Sequence, residues 1–387
     1  MTTPIPHLET ASVSQLVQAL AEGRISSLEM CDAAIGRIEQ RDADINAVVV
    51  RDFERAREQA RAADVALGKG ERRPLLGLPM TVKESFNIAG LPTTWGFEFA
   101  KQIPVTEDAV AVQRLKAAGA VILGKTNIAL ALGDYQSNNP VYGRTQHPLA
   151  LNRTPGGSSG GGAAALVSGM VPLELGSDIG GSIRVPAHFC GVYGHKPTHG
   201  LLPSRGHQFP GFQSAPDVLS VIGPLARNAA DLELALDVLA GPDVDEAVAL
   251  RLALPPARFS RISDLRVLML TEHPSTRAGA DVRGAVDDVA ALLAQAGAKV
   301  EHQSALLPDL EAIQQDYVKL LMTIVTRGAP GAPPPPSAHE WLALLDRRQQ
   351  WRRGWRRLFE SFDVVIAPPF GTAAFEHIAA PDWEHTT

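Results

Sequence analysis

The chain has 387 residues, 45% of them apolar and 20% charged, which is enough to bury a large core and excludes a disordered or fibrous polypeptide. Its 36 basic and 42 acidic side chains leave a net charge of −6 with no long basic run, so the electrostatic footprint of a nucleic-acid binder is missing. Two cysteines, Cys31 and Cys190, are too few for a disulfide framework, no apolar run approaches roughly 18 residues, and the first 22 residues lack a signal-peptide layout, so a cytoplasmic protein with no membrane span is expected.

In chain order, Ser26-Ser27-Leu28-Glu29 has capping-box spacing, and Cys31, Ala34, Ile35 and Ile38 then recur at i, i+3, i+4, i+7, predicting a helix with one buried face. Residues 47–50 read as a strand, 54–67 as a more polar helix and 68–74 as a loop. Alternation over 78–83 predicts a strand that delivers Lys83 on the face opposite Leu78, Met80 and Val82. A helix at 108–118 and a strand at 120–123 follow, and Thr126 or Asn127 is placed to cap another helix. The run Gly156-Gly157-Ser158-Ser159-Gly160-Gly161-Gly162 leads into a helix at 163–168, and a strand at 171–175 ends at a second run, Gly176-Ser177-Asp178-Ile179-Gly180-Gly181-Ser182-Ile183-Arg184. Alternating helix and strand is the pattern of parallel α/β organisation, and each glycine run touches an element end, where α/β sites usually sit.

Further on, 225–239 reads as a helix behind Gly223-Pro224, 265–270 as a strand, 282–295 as a helix and 299–300 as a strand. The Pro-rich tract 328–336 is a stiff connection to a long amphipathic helix at 339–362. The helix carries Arg347, Arg348, Arg352, Arg353, Arg356 and Arg357, which read as a solvated face, with a partner surface as the alternative.

Glycine lets backbone N–H groups approach a reacting atom without a Cβ in the way, so two serines inside such runs suggest a hydrolytic site in need of a base. Gly156-Gly157-Ser158-Ser159-Gly160 matches the G-x-S-x-G nucleophile elbow, but the polar, proline-terminated 149–155 is not the strand an elbow requires, and neither His188 nor His195 is placed as its partner. His195 and His199 have metal-ligand spacing only on a helix, which Pro197 disfavours. No Walker lysine follows either run, which argues against phosphate binding.

Together, Gly77-Leu78-Pro79-Met80-Thr81-Val82-Lys83-Glu84, Gly124-Lys125-Thr126-Asn127, Asn139-Pro140-Val141-Tyr142-Gly143-Arg144-Thr145, the two glycine-serine runs and Gly223-Pro224-Leu225-Ala226-Arg227 resemble the amidase signature family of serine hydrolases, in the family's order and spacing. The match is good over 14–243 and looser beyond. The resemblance implies a Ser-Ser-Lys triad: Ser182 as nucleophile, Ser158 as bridging residue after a cis peptide bond, and Lys83 as base. It also implies an oxyanion or substrate-binding role for Ile179, Gly180 and Gly181, a substrate-pocket position for Leu132, and supporting roles for Asp178, Arg184 and Ser159. A lysine accepts a proton only when neutral, so Lys83 should be buried in an apolar setting that lowers its pKa. Cys190 reads as a small buried apolar residue.

The expected fold is α/β: a mixed, mainly parallel central sheet covered by helices, in one domain over 1–387, with an N-terminal helical region (1–70), a signature core (71–243) and a peripheral α/β part (244–387). The expected reaction is hydrolysis of a carboxylic amide through an acyl-Ser182 intermediate, acting on linear amides, with no cofactor and no metal. Expected partners are a small-molecule amide, with a homodimer open, and neither nucleic acid nor membrane. Two alternatives stand beside it: the ammonia-releasing subunit of a tRNA-dependent glutamine amidotransferase, and a truncated, non-catalytic binding module. Set against the family pattern, the C-terminal part is expected to be truncated, because the Gly-Leu-Pro-containing region that follows the equivalent of Asp363-Val364-Val365-Ile366-Ala367-Pro368-Pro369 is missing.

Overall fold

The computed structural model describes residues 7–212, 215–328, 331, 332 and 334–379, so the expected Pro-rich connection lies partly outside the described residues. The described residues form two compact units, 7–252 with 374–379, and 253–373.

The first unit opens with α1 (Val13–Ala21) and α2 (Ser27–Ile45), each started by a capping box, Ser12 with Gln15 and Ser26 with Glu29. Met30, Cys31, Ala34, Ile35 and Ile38 of α2 are buried, as the helical spacing predicts. Next come β1 (Val48–Arg51), α3 (Phe53–Gly68), β2 (Pro79–Lys83), α4 (Val110–Ala117) and β3 (Val121–Thr126). A small ribbon, β4 (Asn138–Asn139) and β5 (Gly143–Arg144), precedes α5 (Gly160–Val167), β6 (Leu173–Asp178), α6 (Arg184–Cys190), β7 (Tyr193–Gly194), β8 (Val221–Ala226) and α7 (Ala229–Leu239).

Six of these strands form one mixed sheet in the order β1-β3-β2-β6-β8-β7. Its centre is parallel, with β2 between β3 and β6, and the flanking pairs are antiparallel. Every residue of β2, β3, β6 and β8 is buried, as expected of strands covered on both faces. Lys83, at the end of the central strand, is therefore held away from water by position.

Four elements differ from the sequence reading. The strand expected at 120–123 runs on to Thr126, and no α-helix follows it: the Asn127 side chain accepts the Ile128 N–H at 2.9 Å and the Asn139 amide at 2.8 Å, and a single 3₁₀ turn, Leu130–Leu132, comes next. Gly223-Pro224-Leu225-Ala226 belongs to β8, and the helix begins only after Asn228, whose side chain accepts the Asp231 N–H at 2.9 Å. β6 extends through Gly176-Ser177-Asp178, so the second glycine run starts as strand. α5 begins at Gly160, although glycine costs a helix about 1 kcal/mol per residue against alanine. Close packing decides this, because a Cβ on Gly161 would fall 2.4 Å from the Asn127 backbone nitrogen and 2.9 Å from the Ala47 carbonyl oxygen.

The second unit contains β9 (Arg266–Met269), α8 (Ala280–Gln295), β10 (Lys299–Glu301), α9 (Leu310–Val325), α10 (Ala338–Ser361) and β11 (Val364–Ile366). Its sheet, β10-β9-β11, is parallel throughout. The two-residue period of β9 sorts its side chains: Val267 and Met269 pack with Val286 and Ala290 of α8, and Leu268 with Leu358 of α10 and Phe362. α9 escaped the sequence reading. Asp316, on α9, accepts hydrogen bonds from Arg347 at 2.9 Å and Trp351 at 3.0 Å, so one member of the arginine cluster joins two helices. Among the described residues no helix is long and apolar enough to cross a membrane.

Candidate active site

The end of β2 meets both glycine runs at the Lys83 ammonium. Its Nζ donates to Ser158 Oγ at 2.7 Å, to Ser177 Oγ at 3.0 Å and to the Ser177 carbonyl at 3.4 Å. Burial lowers Lys83 from the ordinary lysine value to about 7, with the charges of Asp178 and Glu174 pulling the other way. Glu174, buried in β6, accepts from Thr126 Oγ1 at 2.6 Å and from Thr81 Oγ1, and burial raises its carboxyl to about 7. A buried lysine and a buried carboxyl thus share the sheet core, each pushed toward neutrality by desolvation.

The first glycine run places Ser158 after a cis Gly157–Ser158 peptide bond. The next residue stitches the two runs together: the Ser159 N–H donates to the Ser182 carbonyl at 3.1 Å, and Ser159 Oγ donates to the Ser177 carbonyl at 3.3 Å. The second run turns around Asp178. Its carboxylate accepts the N–H groups of Gly181 at 2.9 Å, Ile183 at 3.0 Å and Arg184 at 3.3 Å, together with the Arg184 guanidinium at 3.1 and 2.8 Å. Burial alone would raise the Asp178 carboxyl, but Arg184 and these N–H donors bring it below the usual carboxylate value.

Gly181 sits at φ +122°, a conformation that favours glycine, and a Cβ there would fall 2.9 Å from Val185. Ser182 follows it, buried except for 6% of its surface. Among the described residues, its hydroxyl and its N–H make no hydrogen bond.

Hydrogen bonds thus join Lys83, Ser158, Ser159 and the Ser182 carbonyl by way of Ser177, while Asp178 and Arg184 form a second group with Gly181 in the turn that carries Ser182, where Ile179 and Gly180 are half-buried. Leu132 stands apart in the 3₁₀ turn, half-buried and left-handed at φ 59°, and shares no hydrogen bond with that group among the described residues. His195 and His199 lie in irregular chain after β7, and no cluster of three or more His, Cys, Asp or Glu suited to a metal is found among the described residues. Cys190 is buried and bonds the Pro155 carbonyl at 3.4 Å, with burial raising its thiol far above the ordinary range.

Several participants were not legible beforehand. Ser177 gives Lys83 a second hydroxyl, and Tyr135 reaches the second run by donating its O–H to the Gly180 carbonyl at 2.7 Å. Lys125, in β3, is a second fully buried lysine; its Nζ donates to Thr93 Oγ1 at 2.9 Å and to the Pro92 carbonyl, and burial lowers it to about 8. His207 pairs with Ser85 at 3.0 Å and is pushed down to about 3 by burial and by the charge of Lys83, which makes it a poor base near neutrality. Its ring faces Phe86 and Trp95 and lines a cleft of about 840 Å³ with Phe209 and Phe212. Lys83, Ser158 and Ser182 do not line that cleft.

The chain as a whole is similar to known proteins. The family model described as Amidase matches residues 29–327. AtzE, the 1-carboxybiuret hydrolase subunit of Pseudomonas sp. (strain ADP), is 38% identical, with 92% of this chain and 80% of the relative aligned. A glutamyl-tRNA(Gln) amidotransferase subunit of Roseiflexus castenholzii is 36% identical, over 97% of this chain and 83% of its own. Among solved structures, the inhibitor-bound vestigial complex tied to the origins of an s-triazine catabolic enzyme aligns with a TM-score of 0.80 at 35% identity, covering 96% of this chain and 83% of that one. Fatty acid amide hydrolase, at 24% identity, shares the fold with a TM-score of 0.86, over 98% of this chain and 71% of its own.

Proposed function

The chain belongs to the amidase signature family, whose enzymes act on amide C–N bonds, and on that premise we propose that it hydrolyses a carboxylic amide through an acyl-Ser182 intermediate with a Ser182-Ser158-Lys83 triad. The observation that carries the reading is the 2.7 Å contact between Lys83 Nζ and Ser158 Oγ, combined with a lysine brought to about 7 by burial. A serine hydroxyl is a weak nucleophile until a base takes its proton, and near pH 7 a large fraction of Lys83 is neutral. With Lys83 neutral, the same contact runs the other way: Ser158 O–H donates to Nζ, and Ser158 Oγ can then accept the Ser182 proton.

The Ser182 oxygen attacks the amide carbon while its proton passes through Ser158 to Lys83, and the carbonyl oxygen becomes an anion. The N–H groups of Ile179, Gly180 and Ser182 are proposed to hold that oxygen, with the Gly181 N–H keeping the turn in shape through Asp178. Collapse breaks the C–N bond, the proton returns by way of Ser158 to the leaving nitrogen, and ammonia or an amine departs. Water then attacks acyl-Ser182 with the same base and releases the carboxylic acid. Linear amides are the proposed substrates, Leu132 is proposed to border the substrate pocket, and no cofactor takes part.

A second reading follows from two relatives whose names make them subunits of larger enzymes. In it the same triad releases ammonia from an amide such as glutamine for a partner protein. The test is to purify the chain alone and assay aryl and aliphatic amides beside glutamine. Turnover of simple amides by the isolated chain supports the first reading; glutaminase activity that needs an added partner supports the second; no turnover of any amide contradicts both.

A further inference from the structure

Tyr135 and Ser137 stand two positions apart between the 3₁₀ turn Leu130–Leu132 and β4, and each reaches a different glycine run. Ser137 Oγ accepts the Gly160 N–H at 2.9 Å and donates to the Gly156 carbonyl at 3.1 Å, clasping the run that carries Ser158 from both sides. Tyr135 O–H donates at 2.7 Å to the Gly180 carbonyl, in the turn that carries Ser182. The segment between them is fixed against the first run. A Cβ on Gly157 would fall 2.4 Å from the Asp134 carbonyl oxygen and 3.0 Å from the Tyr135 carbonyl carbon, and Thr154 Oγ1 donates to the Tyr135 carbonyl at 3.2 Å.

The peptide group between Gly180 and Gly181 is therefore held at both ends. Its carbonyl accepts from Tyr135, and its N–H donates to Asp178 Oδ1 at 2.9 Å. A planar peptide tied at oxygen and nitrogen cannot rotate, and the groups on either side of it inherit that orientation. Two successive glycines would otherwise leave the turn free to sample many conformations.

We infer that Tyr135 is a positioning residue for the Ser182 turn: its hydroxyl fixes the Gly180–Gly181 peptide against the loop that also clasps the Ser158 run, so that nucleophile, relay and oxyanion donors keep one relative geometry. The inference rests on the proposed role of Ser182. It goes beyond that role by assigning alignment of the turn to a side chain outside both glycine runs.

The test is Tyr135→Phe in the full chain, which keeps the ring and removes only the hydroxyl. The measurements are kcat, KM and the pH profile of amide turnover, with deuterium uptake of peptides covering 176–184. Small misalignments of reacting groups cost roughly tenfold to a hundredfold, and that is the expected fall in kcat. KM should stay within about threefold, because ground-state binding does not depend on the oxyanion geometry. The acidic limb of the pH profile should not move, because Lys83 keeps its partners, and uptake in 176–184 should rise. A kcat within twofold of the parent, a shifted acidic limb, or unchanged uptake overturns the inference. If the parent turns over no amide, that counts against the proposed function, and the uptake comparison alone then decides whether Tyr135 holds the turn.

Discussion

Lys83 Nζ lies 2.7 Å from Ser158 Oγ at the end of the central strand, with both residues at least 99% buried. The pairing puts a desolvated amine and the hydroxyl proposed as relay at the point where both glycine runs converge. Lys83→Ala removes the proposed base and leaves Ser158 and Ser177 without their shared donor. General-base contributions run to roughly a hundred- to ten-thousand-fold, so kcat/KM is expected to fall by that much while circular dichroism stays unchanged. Near-normal turnover by the folded variant would sink the lysine-base mechanism.

The pH dependence follows from the direction of the Lys83 shift. In the proposed mechanism the active form is the neutral amine, so kcat/KM should rise with pH through about 7 and level off above it. The charge of Glu174 favours the protonated lysine, so Glu174→Gln should move the rising limb to lower pH. A limb that stays in place or moves upward contradicts the coupling; a flat profile from about pH 5 to 9 contradicts the base itself.

Asp178 organises the turn that carries Ser182 by accepting three N–H groups and the Arg184 guanidinium. Asp178→Asn puts an amide donor where donors already converge. Charged hydrogen bonds contribute about 1.5–3 kcal/mol each, but the Arg184 side chain is 44% exposed and water screens its share, so a net loss near 2 kcal/mol is expected from urea unfolding. The Asp178 carboxyl is lowered in the folded protein, so its contribution is present above the unfolded value of about 3.9 and fades as pH falls through the lower folded value. Parent and Asp178→Asn stabilities should therefore converge in acid. A constant difference down to the acid transition contradicts this assignment.

Two glycine substitutions separate packing from helix propensity. Gly161→Ala drives a methyl into the Asn127 and Ala47 backbone and should destabilise by about 1–3 kcal/mol. Gly36→Ala, inside α2 with nothing within 4 Å of the new Cβ, should stabilise by about 0.5–1 kcal/mol. Thermal denaturation decides both; a neutral or stabilising Gly161→Ala would show that α5 does not need its close approach to the end of β3.

How much of this was legible in the sequence depended on range. The buried face of α2, its capping box and the strand that carries Lys83 follow from local periodicity, and they stand where expected. The starts of α5 and α7 did not. Gly160-Gly161-Gly162 stands in a helix where close packing leaves no room for a Cβ, against the Ser137 side chain, the Asn127 and Ala47 backbone and the Glu174 side chain in turn, and Gly223-Pro224 reads as a helix entry until β6 is seen to pair with it. Ser177, Glu174, Tyr135 and Ser137 gave no signal, because what distinguishes them is a partner far along the chain. Polar residues in strands and turns usually have ordinary structural roles, and only the fold brings these to one point.

Ser182 is proposed to become covalently modified, with Lys83 as its base. The direct measurement is reaction of the purified chain with a fluorophosphonate, followed by mass spectrometry of the peptide containing Ser182. Stoichiometric labelling at Ser182 is expected, abolished in Ser182→Ala, strongly slowed in Lys83→Ala, and faster as pH rises through about 7 in the parent. Absence of labelling at Ser182, or labelling whose rate is indifferent to both Lys83→Ala and pH, would contradict it.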